Sequence, residues 1–363
     1  MKRILIPITI FFLLPAMIYS QDKPSILSQT EIDEMMNAIK EDTLLAQYVN
    51  WFGGDPVELY ENFKKNSWSS DSLFRHNQEH LKPFSDLGCT RHFEMLPLID
   101  WFTSDDSLIG EAGVAYLIRT DDATILFDVG LNQHDIDPSP LLMNMKRLGV
   151  RLEDIDFIVI SHPHGDHTGG NKWCEKNTFS LTSYQIDLGQ KQVLTPVPMK
   201  YPGLQLIHTP QPTKISKGVA TIGVITCPLF NGIIQEQALA INLENKGIVI
   251  VSGCGHQTIE KILQRTERLF DEPIYGLLGG FHLPISVGRN ITKVYQYFIT
   301  NRLPWVPLTA TEVSHTIALL KQKGVKVVGL SGHDSCDSSI AIFREAFRDS
   351  YIEIVVGDKI TLH

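Results

Sequence analysis

Apolar positions along the chain follow two rhythms. Between residues 28 and 82 they recur at helical spacing: Ile32, Met36 and Ile39 at i, i+4 and i+7, then Leu44, Leu45, Tyr48, Val49 and Phe52, with Ser28 or Thr30 able to cap. Gly53-Gly54-Asp55-Pro56 breaks the run. A second amphipathic piece with Val57, Leu59, Tyr60 and Phe63 gives way to a Ser/Asn/Asp-rich stretch over 66–72. From Arg91 the pattern changes to short apolar runs that read as strands: 93–102, 113–118, 123–130, 155–160, 204–207, 219–226, 238–242, 248–252, 274–278, 325–330 and 352–356. Helical spacing returns at 141–148, 258–269, 311–322 and 338–347, and 287–309 is looser. Strands alternating with helices predict an α/β or α+β chain with one continuous core.

The N-terminus departs from both rhythms. Met1-Lys2-Arg3 precedes an apolar run over 4–18, with Ala16, Ser20 and Gln21 near a plausible cleavage point. That is the layout of a secretory signal peptide and predicts a periplasmic or secreted protein. The expected organisation is residues 1–20 as signal peptide, 21–90 as a helical extension and 91–363 as the catalytic domain. Nothing after the leader is long and apolar enough to span a bilayer, so no stable membrane insertion is expected after cleavage. The net charge is -9, from 32 basic and 41 acidic residues without a basic stripe, which argues against nucleic acid as partner. Five scattered cysteines do not make the dense framework of a small disulfide scaffold.

The chemistry lies where the strands end. The run 157–160 stops at Ser161-His162-Pro163-His164-Gly165-Asp166-His167-Thr168-Gly169-Gly170. Pro163, Gly165 and the Gly169-Gly170 pair argue against a regular helix or strand there and let the side chains converge. Imidazole nitrogens and a carboxylate oxygen are the donors that a borderline cation such as zinc takes. Two more apolar strands repeat the logic, 248–252 running into Gly253-Cys254-Gly255-His256 and 327–330 into Ser331-Gly332-His333-Asp334. A fourth strand ends at Gly279-Gly280-Phe281-His282, where Phe281 and His282 read as pocket residues facing a small-molecule substrate. Asp128 closes the strand 123–130 and is placed to bond the histidine loop or a ligand imidazole, fixing its tautomer.

The HxHxDH pattern followed by Gly-Gly resembles the signature of the metallo-β-lactamase superfamily, and Asp128-Val129-Gly130 matches the Asp-x-Gly strand end that precedes it there. Asn144 to Val150, SHPHGDHTGG, Gln237-Ala238-Leu239 before VSGCGH, then GGFHL and SGHDSC, resemble its dihydropterin-phosphate synthase-related branch from about Gly110 onward. The resemblance implies an α+β fold, a four-layer αββα sandwich, here behind an N-terminal helical extension. It implies two metal positions, one held by His162, His164 and His256 and the other by Asp166, His167 and His333. Cys254 stands where the superfamily usually has a bridging Asp, so a thiolate is a further candidate ligand.

By the same resemblance the chain is a metal-dependent hydrolase with about two zinc ions, iron or manganese being the alternatives. A hydroxide generated on the metal would attack an ester, lactone, amide or phosphoester, with Asp166 orienting it or passing a proton to the leaving group. A pterin-phosphate synthase-like enzyme, an iron-dependent oxidoreductase and a non-catalytic metal-binding module are the rival readings.

Overall fold

Three helices lead the structure, a computed structural model that describes residues 25–289 and 291–362; the expected signal peptide lies outside the described residues. α1 (Gln29–Glu41) starts in a capping box between Ser28 and Glu31. Asp42 ends α1 and caps α2 (Thr43–Trp51), its Oδ1 accepting from the amides of Leu44 and Leu45. Asp55 caps α3 (Pro56–His80), whose first residue is the proline that suits a helix start. The polar stretch at 66–72 does not interrupt α3. Ser67 Oγ donates back to Phe63 O at 2.8 Å, and Phe63, Ser70 and Phe74 are buried on one face, so tertiary packing overrides the weak local propensity.

The strands follow as β1 (Phe93–Ile99), β2 (Ala115–Thr120), β3 (Thr124–Phe127), β4 (Phe157–Val159), β5 (Gln192–Thr195), β6 (Ile207–His208), β7 (Thr213–Ser216), β8 (Val219–Thr221), β9 (Ile225–Leu229), β10 (Gly232–Glu236), β11 (Leu239–Leu243), β12 (Gly247–Ser252), β13 (Ile274–Gly279), β14 (Val327–Leu330) and β15 (Ile360–Leu362). Among them lie α4 (Pro140–Arg147), the single turns α5 (Gly165–Thr168) and α6 (Asn171–Cys174), and α7 (Ile259–Leu269), α8 (Ala310–Gln322) and α9 (Asp337–Phe347). One sheet has the order β15-β1-β2-β3-β4-β5-β6, the second β14-β13-β12-β11-β8-β7, and β9 pairs with β10 as a separate hairpin. The expected strand over 352–356 is instead irregular chain that touches the second sheet at Val328–Tyr351, and the run 219–226 is divided between β8 and β9.

Alternation along each strand builds the layers. Ile248 and Ile250 of β12 face a hydrophobic cluster beneath α7, α8 and α9, while Val249 and Val251 point into the layer between the sheets. There they meet Phe93, Met95, Tyr116, Ile125 and Phe127 of the first sheet, whose outer face is covered by Leu141 and Met145 of α4. Strands buried on both faces read as unbroken apolar runs, as this sequence does. The result is a four-layer αββα sandwich with the N-terminal helices packed alongside.

Two features aim the chemistry. β3, β4 and β5 are parallel neighbours, and so are β12, β13 and β14. Their C-terminal ends deliver Asp128, the 161–168 loop, Cys254, His282 and His333, and parallel strand ends are where open sheets gather ligands. None of the described helices is long and apolar enough to cross a membrane.

Candidate metal centre

The loop after β4 holds a helical turn where the sequence argued against one. α5 spans Gly165–Thr168 and is closed by Gly169 at φ +84°; a Cβ there would lie 1.9 Å from Ser180 O, so only glycine fits. This turn swings Asp166 and His167 around one axis, with His164 at its N-cap.

His162, His164 and His256 form a triangle of rings, with centroids 4.6, 5.0 and 5.1 Å apart and edge-to-face inclinations. Cys254 Sγ is 3.1 Å from His167 Nε2 and 3.1 Å from His333 Nε2. Donor atoms lying within 4.8 Å of one another fall into overlapping groups: Asp166, His167, Cys254 and His333; His162, Cys254 and His256; His162, His164 and Asp166. All seven residues expected to hold metal therefore converge. The groups overlap: Cys254, expected at the bridging position, belongs to two of the three, and so do His162 and Asp166.

Behind the donors stand carboxylates in a repeated arrangement. Asp128 Oδ1 accepts the Ser161 amide at 2.6 Å, and Oδ2 accepts the Ser161 hydroxyl at 2.7 Å and faces His167 Nδ1 at 2.7 Å. The Ser161 hydroxyl proton is thus engaged, so His162 Nδ1, 2.9 Å away, donates to Ser161 Oγ and leaves Nε2 for a ligand role. Asp100, at the end of β1, does the same on the other side. It accepts from Tyr116 Oη and Ser331 Oγ at 2.6 Å and from the Gly332 amide at 3.0 Å, and Ser331 Oγ is 2.5 Å from His333 Nδ1. Glu236, at the end of β10, holds the third loop: its two oxygens accept the amides of Cys254, Gly255 and His256 at 3.0, 2.9 and 2.7 Å.

Asp100 and Glu236 went unnoticed in the sequence. In the structure each stands at a strand end as Asp128 does, but the sequence pattern runs the first strand on through Asp100 and gives no strand at 232–236. Asp334 was also missed; it accepts the His282 amide at 2.7 Å and shares a donor group with Cys254 and His282.

Electrostatics follow burial. Desolvation pushes His162, His256 and His333 well below the usual imidazole range, and lowers His164 to about 4 and His282 to about 3. His167 goes the other way: burial opposes its charge, but Cys254, Asp166 and Asp128 raise it well above the ordinary value. For Asp166 burial works upward, yet His167, His164 and His333 hold the carboxyl below its usual range. Neutral His162, His164, His256 and His333 beside an ionised Asp166 are in the protonation states that metal binding requires, whereas His167 would give up a proton to bind.

Buried polar atoms test the fit directly. His164 Nε2, both ring nitrogens of His256 and both of His282 are buried without a hydrogen-bond partner among the described residues, which a folded chain tolerates only where something else satisfies them. Nitrogen, thiol and carboxylate donors at this spacing suit a borderline divalent cation.

Other expectations resolve plainly. His282 lies in the left-handed region, φ +51°, with its ring 4.7 Å from that of His256. Phe281 does not line an opening; it is 4 % exposed and packs in the cluster beneath α7, α8 and α9, supporting the loop from behind. His208 lies apart from the centre, its Nε2 3.1 Å from Pro196 O, and the five cysteines are free thiols.

The family model of the metallo-beta-lactamase superfamily matches residues 108–179, the segment that carries Asp128 and the histidine loop. Over that segment the chain is similar to the metallo-β-lactamase superfamily. The chain is 26 % identical over 287 residues to the 7,8-dihydropterin-6-methyl-4-(β-D-ribofuranosyl)-aminobenzene-5'-phosphate synthase of Methanocaldococcus jannaschii, a match spanning 68 % of this chain and 88 % of the relative. In fold it is similar to a solved metal-dependent hydrolase of the β-lactamase superfamily, with a TM-score of 0.51 at 19 % identity, covering 75 % of this chain and 99 % of that one.

Proposed function

We propose that this protein is a metal-dependent hydrolase of a small molecule, working outside the cytoplasm on an ester, lactone, amide or phosphoester bond. The observation that carries the reading is the Cys254 thiol, 3.1 Å from both His167 and His333 and grouped also with His162 and His256. His162, His164 and His256 would hold one zinc ion and Asp166, His167 and His333 the other, with Cys254 between them. Bound there, zinc lowers the pKa of coordinated water toward neutrality and polarises the oxygen of the electrophile.

The chain's own groups do the rest. Asp128 and Asp100 fix His167 and His333 with Nε2 turned inward. Asp166 is held ionised and keeps 22 % of its side chain open, so it can accept a proton from water and return it to the leaving group. Neutral His282, with both nitrogens unengaged among the described residues, can donate to the substrate or accept from it. The extracellular or periplasmic setting rests on the leader-like residues 1–20.

The reading is tested with a panel of p-nitrophenyl esters, lactones and phosphodiesters against wild type and Asp166→Asn. Turnover by wild type, reduced about 100-fold or more in the variant, is the expected result, and metal content measured in both shows how much of the loss comes from the ion that Asp166 would hold. Full activity in Asp166→Asn overturns the role given to that carboxylate. The name of the Methanocaldococcus jannaschii relative favours one second reading, a synthase-like enzyme acting on a pterin phosphate. Binding of a reduced pterin, without turnover of the panel, would favour it.

A further inference from the structure

Four consecutive side chains connect the N-terminal helices to the metal centre. They form a single 3-10 turn, Tyr295–Phe298, in the region that looked loose in the sequence. Tyr295 lays its ring parallel to that of His282, 12° between planes and 5.1 Å between centroids. His282 in turn leans on the His256 ring at 4.7 Å, so a ladder of three rings runs from a candidate metal ligand outward to Tyr295. Gln296 Nε2 donates to Pro284 O at 2.7 Å and ties the turn to the loop that carries His282.

The next two residues face the extension. Tyr297 Oη donates to Asp42 Oδ2 at 2.7 Å, and Asp42 is the residue that caps α2. Phe298 meets the Tyr48 ring edge-on at 5.1 Å. Downstream, Trp305 packs on Tyr60 of α3 at 5.3 Å. Gln296, Tyr297 and Phe298 are buried, whereas Tyr295 as a residue is half-buried.

We propose that the N-terminal helices are a working part of the centre: through the turn Tyr295–Phe298 they hold the Tyr295 ring on His282 as the substrate-binding wall of the cleft. Tyr295 and His282 touch the substrate, and Asp42, Tyr48 and Tyr297 are positioning residues that act through them. Desolvation raises the Tyr295 phenol well above its ordinary value, and the acidic groups Cys254, Asp334 and Asp166 add to the shift. The phenol therefore stays a neutral hydrogen-bond donor next to those groups. An extension that packed elsewhere would have no reason to bond and stack on the turn adjoining His282.

The inference rests on the hydrolase reading, and its test separates the two. Wild type, Tyr295→Leu and Tyr297→Phe are compared on the p-nitrophenyl probes that wild type hydrolyses, with metal content measured in each. Tyr295→Leu should raise KM about tenfold with kcat changed less than about threefold and metal unchanged, the pattern of lost substrate contact. Tyr297→Phe, which removes only the bond to Asp42, should raise KM in the same sense by a smaller factor. Unchanged KM in Tyr295→Leu overturns the proposal, and so does a loss of metal that parallels the loss of activity.

Amide hydrogen exchange supplies a readout that needs no substrate. Tyr297→Phe should speed exchange over residues 294–299 and 281–285 while leaving 162–168 as in wild type. Faster exchange confined to 294–299 breaks the link to His282 and overturns the proposal even if wild type hydrolyses none of the probes.

Discussion

His167 Nδ1 stands 2.7 Å from Asp128 Oδ2, both groups fully buried. This contact decides which imidazole nitrogen faces Cys254, because a proton held on Nδ1 leaves Nε2 as the donor. Asp128→Asn keeps the shape but offers no charge to hold that proton. It should weaken metal binding about 10- to 100-fold without unfolding the protein. Competition against a chromophoric chelator measures the affinity, and circular dichroism checks the fold.

Glu236 makes a different kind of contribution, to the backbone rather than to a ring. Its carboxylate accepts three amides in the loop of Cys254 and His256, and burial pushes its pKa up to about 7 against the pull of those amides. Glu236→Gln replaces one accepting oxygen by a donor facing an N–H. Metal-free protein should lose about 2 kcal/mol of stability in urea unfolding. A variant as stable as wild type would mean that the loop is held by its other contacts.

Tyr48 is 2 % exposed among Phe52, Tyr297 and Phe298, and its hydroxyl is buried without a partner among the described residues. Tyr48→Phe removes the unsatisfied group and keeps the ring, so it should stabilise the protein by about 1 kcal/mol. Tyr48→Ala opens a cavity and should cost about 3–5 kcal/mol. Thermal unfolding of the pair tests both signs.

Glu31 couples the first helix to α3 and gives a pH signature. The Lys64 ammonium, then the Ser28 amide and hydroxyl, lower its carboxyl from 4.5 to about 2. A depressed acid stabilises the fold above its unfolded value and loses that contribution as pH falls toward the folded one. Protection of the α1 amides, taken against their intrinsic exchange rates at each pH, should therefore fall between about pH 4.5 and pH 2, and in Glu31→Gln it should already be low at neutral pH. Equal pH profiles for the two proteins would contradict the coupling.

The sequence revealed the donors and hid much of what supports them. His162, His164, Asp166, His167, His256 and His333 stand out because few other purposes collect such residues at the mouths of apolar strands, and the strands themselves read as unbroken apolar runs. Asp100 escaped notice because its partner Ser331 is 231 residues away and nothing local distinguishes it from a turn-forming acid. Tyr295 lies in a stretch without periodicity, and only the ring of His282 gives it meaning. The short strands β5, β7, β10 and β15 are three to five residues each, too brief for alternation to register, and pairing with neighbours creates them. Continuity of α3 likewise depends on what it packs against rather than on its own residues.

The central claim is that Cys254 joins two metal positions in one centre. Elemental analysis of the mature protein, purified without chelators, beside Cys254→Ser, tests it most directly. About two zinc ions per chain are expected in wild type, and fewer in the variant at the same zinc concentration. A single ion per chain after reconstitution, unchanged by Cys254→Ser, would contradict the claim.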